Sequence, residues 1–512
     1  MKKEKDMDLT SDCILTIDVG TTNCKCVIFA QDGAIVGQGT ASYPEQYPQP
    51  GWVEQKPEDW WTATMASVHE ALSAPEIDRQ KILAIGLTGQ MHGILAMDGS
   101  GQALTPCLTL RDGRATAEEK EIVRTLGLER VYRITGARLA PSLPVVKISW
   151  IRKNQPDLYK RTRAFLPTKD YVRYLLTGDI ATEVIDAAGM LLYDVRDRTW
   201  SAEMVQAAGI SIDKLPPIRS PWEVAGKLTE RAAEQLGLVA GTPVVMGAGD
   251  DIECLGFGIV ESGISLEHIG TTGSIMTCVD QAVEDPAMAV ELYPHVDPSL
   301  WLVGGSVNAA GGALDWAQRV FSDEESNGFH ALLDRHEGLS PSLDNPLIFL
   351  PYLAGERCPI WDPAAKGGWL GLTVAHERTD LLRAVLEGVV FSLRHVLEKI
   401  EQMAVPVTSL AVQKPDRDSP WLALRASIYG KSLRVVGNPE PTALGTMILA
   451  GMGIGLFTDM AQGVEATRGP EYLIDPDEEA AARYEWLYAL YRKVSSTCHP
   501  LFSRFTGQFD PL

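Results

Sequence analysis

Two short segments of this chain combine glycine and small hydroxyl residues in a way suited to holding phosphate. Ile17-Asp18-Val19-Gly20-Thr21-Thr22 lies near the start, and Ile269-Gly270-Thr271-Thr272-Gly273-Ser274 lies in the second half. Each follows an apolar run and is predicted as a tight turn between two strands. Glycine and small hydroxyl residues suit unusual backbone angles and close backbone approach. Such a turn offers backbone N–H groups and hydroxyls to a phosphate. Gly20, Thr21, Thr22, Gly270, Thr271 and Thr272 are therefore candidate phosphate contacts. Two such turns in one chain imply one polyphosphate held between two related halves.

The charged residues near these turns extend the chemistry. Asp18 ends a buried strand, where a carboxylate is costly unless it meets a cation, donors or water. One role is a Mg²⁺ link through water, because Mg²⁺ keeps much of its hydration shell. The other is capping of its own turn. Lys25, three residues past Thr22, can serve a transferring phosphoryl group as a point charge or sit as a solvated strand lysine. Asp250 stands at a strand tip behind Gly247-Ala248-Gly249. A general base there, taking the proton of an attacking hydroxyl, contributes about 10²–10⁴ in rate. Its alternative role is a helix N-cap. Asp251 and Glu253 add like charge, which raises carboxyl pKa values. Asp251 is expected as a cap or a substrate contact. Gln90, Met91 and His92 follow another buried strand, where polar donors suit sugar hydroxyls, although a lone histidine also serves structural roles. Asp112, in the polar turn Arg111-Asp112-Gly113-Arg114, is similarly open between a site and a surface helix start.

These residues need strands ending on one edge and helices covering the sheets. Apolar runs at 13–18 and 25–31 flank the first turn, with a third strand at 34–41. Residues 57–72 carry Trp60, Trp61, Met65, Val68 and Ala71 at helical spacing. Strands follow at 82–88 and 243–248, with helices at 115–126 and 144–153 between them. The scheme then restarts: strands at 264–269, 274–278 and 301–304, a helix from Gly311, a strand at 347–350, a long helix at 379–403, a strand at 409–412 and helices at 442–451 and 475–492. The chain is read as a duplicated α/β unit joined near residues 256–263, with ligand at the carboxyl ends of the strands.

Composition narrows the class. The chain has 512 residues and a net charge of −21, with 46 Lys and Arg against 67 Asp and Glu. This argues against nucleic acid or an anionic membrane as partner. Residues 442–457 are the least charged stretch and fall short of the roughly 20 residues of a membrane span. Residues 1–11 are polar, with no apolar run of a secretory signal. A cytoplasmic protein is expected, with its eight cysteines as reduced thiols. Cys24-Lys25-Cys26 lacks the second close pair of a structural zinc site.

Taken in order, these motifs resemble the FGGY-type carbohydrate kinases, the family of xylulose, glycerol, gluconate and ribulose kinases. The resemblance runs from Ile14 to about Phe457. Ser142-Leu143-Pro144-Val145-Val146-Lys147-Ile148-Ser149-Trp150-Ile151 and Gly367-Gly368-Trp369-Leu370-Gly371-Leu372 carry it further. Gly51-Trp52-Val53-Glu54-Gln55, Gly89-Gln90-Met91-His92-Gly93 and Gly355-Glu356-Arg357 are most similar to the xylulose kinase branch.

The resemblance implies two actin-like, ribonuclease H-like ATPase lobes around a central cleft: 12–257 for sugar and catalysis, 263–457 for nucleotide, and a helical extension at 458–512. It implies ATP and Mg²⁺, with Asp250 as base, Asp18 by the metal and phosphates, and Met91, His92, Asp250 and Asp251 at the sugar. Thr21, Lys25, Thr271, Gly311 and Asp315 fall where the family meets ATP phosphates or ribose. The expected reaction is phosphorylation of a primary hydroxyl of a small ketose or polyol, best matched by a xylulose-like ketopentose. Ribulose, an erythritol-like polyol or a branched ketose are alternatives. Dimers are the commonest closed oligomers, which makes a homodimer the default assembly.

Three departures bear on this. Asp251 replaces the branch's usual Asn, and Leu110-Arg111-Asp112-Gly113-Arg114 replaces Trp-Asn-Asp-Gly-Arg. Gln413-Lys414-Pro415-Asp416-Arg417-Asp418-Ser419 stands where a Gly-rich adenosine loop is expected. The last leaves three outcomes: adenine bound differently, a different donor, or reduced activity, including a sugar- or nucleotide-binding regulator.

Overall fold

The computed structural model describes residues 12–74, 77–321, 343–415 and 420–506. The chain forms two compact units. The first comprises Met1–Val260, Leu292–Trp301 and Glu440–Gly469; the second comprises Glu261–Glu291, Leu302–Pro439 and Pro470–Leu512.

The first unit is built on a six-stranded sheet in the order Val224–Lys227, Pro243–Val245, Ile82–Gly89, Cys13–Val19, Asn23–Ala30, Ile35–Ser42. Cys13–Val19 pairs antiparallel with Asn23–Ala30 and parallel with Ile82–Gly89. Strand side chains alternate between faces, and both faces are covered. On one, Leu15, Ile17, Cys24, Cys26, Ile28, Ile85 and Leu87 pack with Trp60, Val68 and Ala71 of helix Pro57–Ala71. That helix lies so close that a Cβ on Gly39 would meet the Ser67 carbonyl oxygen at 2.1 Å. The other face carries Ile14, Thr16, Asp18, Lys25, Val27 and Phe29, and helix Pro441–Gly453 lies on it: a Cβ on Gly86 would meet Thr446 Cγ2 at 2.8 Å.

This packing corrects the expected boundaries. The leading segment of the first unit ends at Val260. Residues 440–469, however, belong to the first unit, and 458–512 is no separate extension. Helix Pro441–Gly453 is apolar nearly all round and is built into the first unit: Gly445 faces the Ile252 carbonyl and Gly256 faces that of Pro441, each too close for a side chain. The last helix, Glu478–Phe502, belongs to the second unit, where Tyr491 and Ser495 bond the Tyr352 hydroxyl, each at 2.9 Å.

The second unit repeats the strand plan. Trp301–Val307, Gly273–Val279, Ile264–Ile269, Ser409–Gln413, Leu433–Val436 and Glu471–Ile474 lie side by side in that order. Ile264–Ile269 pairs antiparallel with Gly273–Val279 and parallel with Ser409–Gln413, as the corresponding strands do in the first unit. The duplication read from the sequence is therefore present in the strand order and directions. Among the described residues, no helix is long and apolar enough to cross a membrane.

Candidate active site

The Gly20-Thr21-Thr22 segment closes the hairpin between Cys13–Val19 and Asn23–Ala30. Gly20 N–H donates to the Asn23 carbonyl at 3.0 Å, and the Tyr43 hydroxyl donates to the Gly20 carbonyl. The Thr21 and Thr22 carbonyls accept from Gln55 Nε2 (2.6 Å) and Tyr43 N–H (3.2 Å). The turn's oxygens thus face protein while the exposed Thr21 and Thr22 face solvent. Gly20 contributes its N–H to the turn itself, so its part is to shape the loop.

The second turn is tighter by one residue, with Gly270 N–H donating to the Thr272 carbonyl at 2.9 Å, and its Thr271 and Thr272 are equally exposed. Helix Gly311–Phe321 docks onto it. Gly311 N–H reaches the Gly270 carbonyl at 2.8 Å, and Gly312 N–H the Thr271 carbonyl at 2.9 Å. Gly311, expected as a phosphate contact, has its N–H engaged by the turn. It is glycine because a Cβ would lie 2.4 Å from the Gly270 oxygen. Asp315 is exposed one turn further along.

Asp18 and Lys25 are direct cross-strand partners. Among the described residues the Asp18 carboxylate makes no hydrogen bond, so it does not cap its own turn. Desolvation pushes its carboxyl up to about 6; Lys25 opposes this, and Glu440 adds to it. Lys25 is not a free strand lysine: its Nζ lies 3.0 and 2.9 Å from the two carboxylate oxygens of Glu440. Glu440, at the start of helix Pro441–Gly453, is a residue the motifs did not indicate.

Asp250 opens a short turn of 3₁₀ helix, Asp250–Ile252, whose N-cap position is Gly249, so Asp250 is not the cap. Solvent reaches its side chain, yet enough protein surrounds the carboxyl for desolvation to dominate its ionisation. With Asp251, Asp18, Glu253 and Asp186 adding like charge, its pKa stands well above the ordinary carboxylate range. The tip is fixed from behind. Buried Glu183 accepts from the N–H groups of Gly249 (3.1 Å), Ile185 (2.7 Å) and Asp186 (3.0 Å). Lys169, also buried, lies 2.7 Å from Asp170 and 3.2 Å from Asp186.

Met91 fills the space beside this tip: a Cβ on Gly249 would meet its Cγ at 2.7 Å, and one on Gly189 its Cε at 2.9 Å. His92 adopts a left-handed backbone with φ of 62°, a conformation costly for a residue with a side chain. Contacts to two neighbouring segments help to hold it. Its Nδ1 lies 2.9 Å from the Gly189 carbonyl, and its own carbonyl accepts from Lys147 at 3.0 Å. Lys147 is fully buried and also reaches the carbonyls of Leu108 (3.3 Å) and Thr109 (2.6 Å). Burial lowers its ammonium to about 7. Gln90 donates to Gln55 at 2.7 Å.

Asp112 departs from expectation. It is wholly buried, and its carboxylate accepts from Val53 N–H at 2.8 Å and from Arg114 Nε and Nη2 at 2.9 and 2.7 Å. Arg114 also reaches Glu54 at 2.6 Å and lies 3.7 Å from the Trp52 ring centroid. Asp112 thus ties the Gly51–Gln55 segment to its own turn. The structure groups Asp18, Lys25, Asp250, Asp251, Gln90, Met91 and His92 in the first unit, and Gly270, Thr271, Thr272, Gly311 and Asp315 in the second. Of the divergent 413–419 segment, residues 416–419 lie outside the described residues. Gln413 Nε2 bonds the Pro439 carbonyl at 3.0 Å, and Lys414 N–H the Val436 carbonyl at 2.9 Å.

Comparison with known proteins shows the family. Residues 13–255 match the N-terminal domain of the FGGY family of carbohydrate kinases, and residues 268–454 match its C-terminal domain. A xylulose kinase of Bacillus subtilis is 31% identical over 94% of this chain and 96% of its own length. A gluconokinase of the same organism is 30% identical over 94% and 95%. The crystal structure of a ligand-bound xylulose kinase from Lactobacillus acidophilus superposes with a TM-score of 0.89 at 27% identity, covering 97% of this chain and all of that one.

Proposed function

The chain belongs to the FGGY family of carbohydrate kinases, and we propose that it transfers the γ-phosphoryl group of ATP to a primary hydroxyl of a xylulose-like ketopentose. The observation that carries this reading is Asp250: a solvent-accessible carboxyl at the start of a 3₁₀ turn, just past strand Pro243–Val245, with its proton affinity raised by enclosure and like charge. A base must bind a proton well enough to take it from a hydroxyl yet be ionised at the working pH.

In this reading Asp250 accepts the proton of the attacking hydroxyl, and the freed oxygen attacks the phosphorus in line. Met91 and the strained His92 shape the acceptor end, with Lys147 holding the His92 carbonyl and the Gly189 carbonyl its ring. Asp251 lies beside the base and contacts the sugar. Thr21 and Thr22, and Thr271 and Thr272, supply N–H and hydroxyl donors to phosphate oxygens, and Lys25 adds a point charge. Gly270 and Gly311 shape the second turn, and Asp315 faces the nucleotide. Asp18 would hold Mg²⁺ through water. The residues fit that ion: Glu440 adds to the rise of the Asp18 carboxyl, and Asp18 to that of Asp250, a gathering of negative charge that suits a cation. When bound, Mg²⁺ would neutralise developing phosphate charge.

The kinship with a gluconokinase raises an aldonic acid as a second acceptor. Asp250, Asp251 and Glu253 make the acceptor end electronegative, which favours a neutral ketose over a carboxylate. A matrix of purified acceptors (D-xylulose, D-ribulose, erythritol, gluconate) against ATP, other nucleotides and pyrophosphate, read by coupled product detection, tests both. Turnover confined to gluconate would overturn the ketose assignment. Turnover with a donor other than ATP alone would overturn the ATP assignment.

A further inference from the structure

Gln55 lies between two parts of the site and touches both. Its Oε1 accepts from Gln90 Nε2 at 2.7 Å and from the Trp60 indole N–H at 3.2 Å, and its Nε2 donates to the Thr21 carbonyl at 2.6 Å. The orientation of this amide follows from its neighbours. An indole N–H only donates and a carbonyl only accepts. The end facing Trp60 must therefore be oxygen, and the end facing Thr21 must be the NH₂. Gln90 in turn must present its NH₂ to Gln55, which leaves its own carbonyl oxygen as the acceptor for any further partner. All three side chains are buried: Gln55 is 1%, Gln90 3% and Trp60 0% exposed.

The backbone closes the same circuit. Gln90 N–H bonds the Val19 carbonyl at 2.9 Å, one residue before Gly20. The strand Glu54–Gln55 is itself paired with Cys107–Leu108. The turn and the Gln90 segment thus leave adjacent parallel strands and are tied together at their tips by one side chain.

We infer that Gln55 is a positioning residue that couples the acceptor end of the site to the phosphate-binding turn. A sugar hydroxyl donating to the Gln90 carbonyl oxygen polarises and orders the amide chain, and the chain fixes the peptide plane after Thr21. The orientation of the neighbouring N–H toward phosphate follows. Each substrate should therefore tighten the binding of the other. This rests on the reading of residues 20–22 as a phosphate turn.

The test uses the full chain with Gln55→Met, which keeps length and removes all three bonds, and Gln55→Glu, which keeps shape. Binding of a non-hydrolysable ATP analogue with Mg²⁺ is measured by calorimetry with and without D-xylulose, beside KM values and thermal melts. The expected result is a loss of analogue affinity of about tenfold in both variants, with the mutual tightening seen in the wild type abolished. Gln55→Glu carries a sharper signature. Its carboxylate repels the Thr21 carbonyl, whereas the protonated acid can donate to it as the amide does. Affinity relative to wild type should recover as pH falls from about 8 to about 6, where a buried acid takes up its proton. Wild-type analogue affinity in folded Gln55→Met, or weakening in Gln55→Glu with no recovery at low pH, would overturn the inference. The analogue arm needs no sugar, so failure of the wild type to phosphorylate D-xylulose would count against the acceptor assignment alone.

Discussion

Lys25 and Glu440 stand 415 residues apart and form a two-point ion pair, Nζ to Oε1 at 3.0 Å and to Oε2 at 2.9 Å. The pairing follows from strand parity. Asp18 and Lys25 point to the sheet face on which helix Pro441–Gly453 lies, and Glu440 immediately precedes that helix. Lys25 therefore sits between two carboxylates, one across the strand pair and one at the helix start.

Glu440→Gln should leave the fold nearly untouched, because both partners are partly solvent-exposed and such pairs contribute about 0–1 kcal/mol. Its effect should appear in the pH profile. The Glu440 charge raises the Asp18 carboxyl, so removing it moves that pKa down from about 6. If Asp18 acts ionised, the acid limb of kcat shifts to lower pH. A profile superimposable on the wild type would refute the link.

Asp250→Asn should lower kcat by at least about 10² while the protein stays folded, and near-normal turnover would refute the base assignment. The same variant should melt above the wild type near neutral pH. The Asp250 carboxyl is raised above its ordinary 3.8, so the folded state keeps a proton that the unfolded chain has released. Stability on this account is intact at low pH and falls as pH rises through that window. The amide has no such dependence. The melting difference should open above about pH 4 and close below it. Asp251→Asn removes the nearest like charge and should shift the acid limb of kcat downward without abolishing activity.

Both turns and their duplication were legible because each is local: a glycine, a hydroxyl and an apolar run within a few residues. Glu440 was not, since no short motif marks a residue brought to Lys25 by helix packing. Lys147 acts on the carbonyls of distant segments, and Glu183 joins its own helix start to the distant Gly249, while their sequence context looks like ordinary helix and strand. The burial of Asp112 was hidden for the opposite reason. A polar Arg-Asp-Gly-Arg turn reads as exposed, and only the structure reveals Arg114 folded back against Trp52 and Glu54. Gly311 was read as a nucleotide contact from its motif, and its bond to the Gly270 carbonyl needs the packing of helix on turn, which no short motif carries.

Asp112→Ala separates these roles. If Asp112 ties two segments together, its loss leaves buried Arg114 with Glu54 alone and costs about 3 kcal/mol, as broken buried pairs do. Chemical denaturation should register that loss, while kcat at saturating sugar changes little in the folded fraction. Full stability with a large rise in the sugar KM would instead mark Asp112 as a ligand contact.

Gly311 and Gly312 offer a graded test of the second turn. A Cβ on Gly311 would meet the Gly270 oxygen at 2.4 Å, and one on Gly312 the Thr271 oxygen at 2.9 Å. Both obstacles are backbone, so the turn must move, and it must move further for Gly311→Ala. Overpacking of this kind costs about 1–3 kcal/mol. If the turn holds nucleotide phosphate, the KM for ATP should rise in both variants, more in Gly311→Ala, with the sugar KM unchanged. Equal effects on both substrates would mean that the substitutions loosen the unit as a whole. An unchanged ATP KM in a folded Gly311→Ala would remove this turn from the phosphate site.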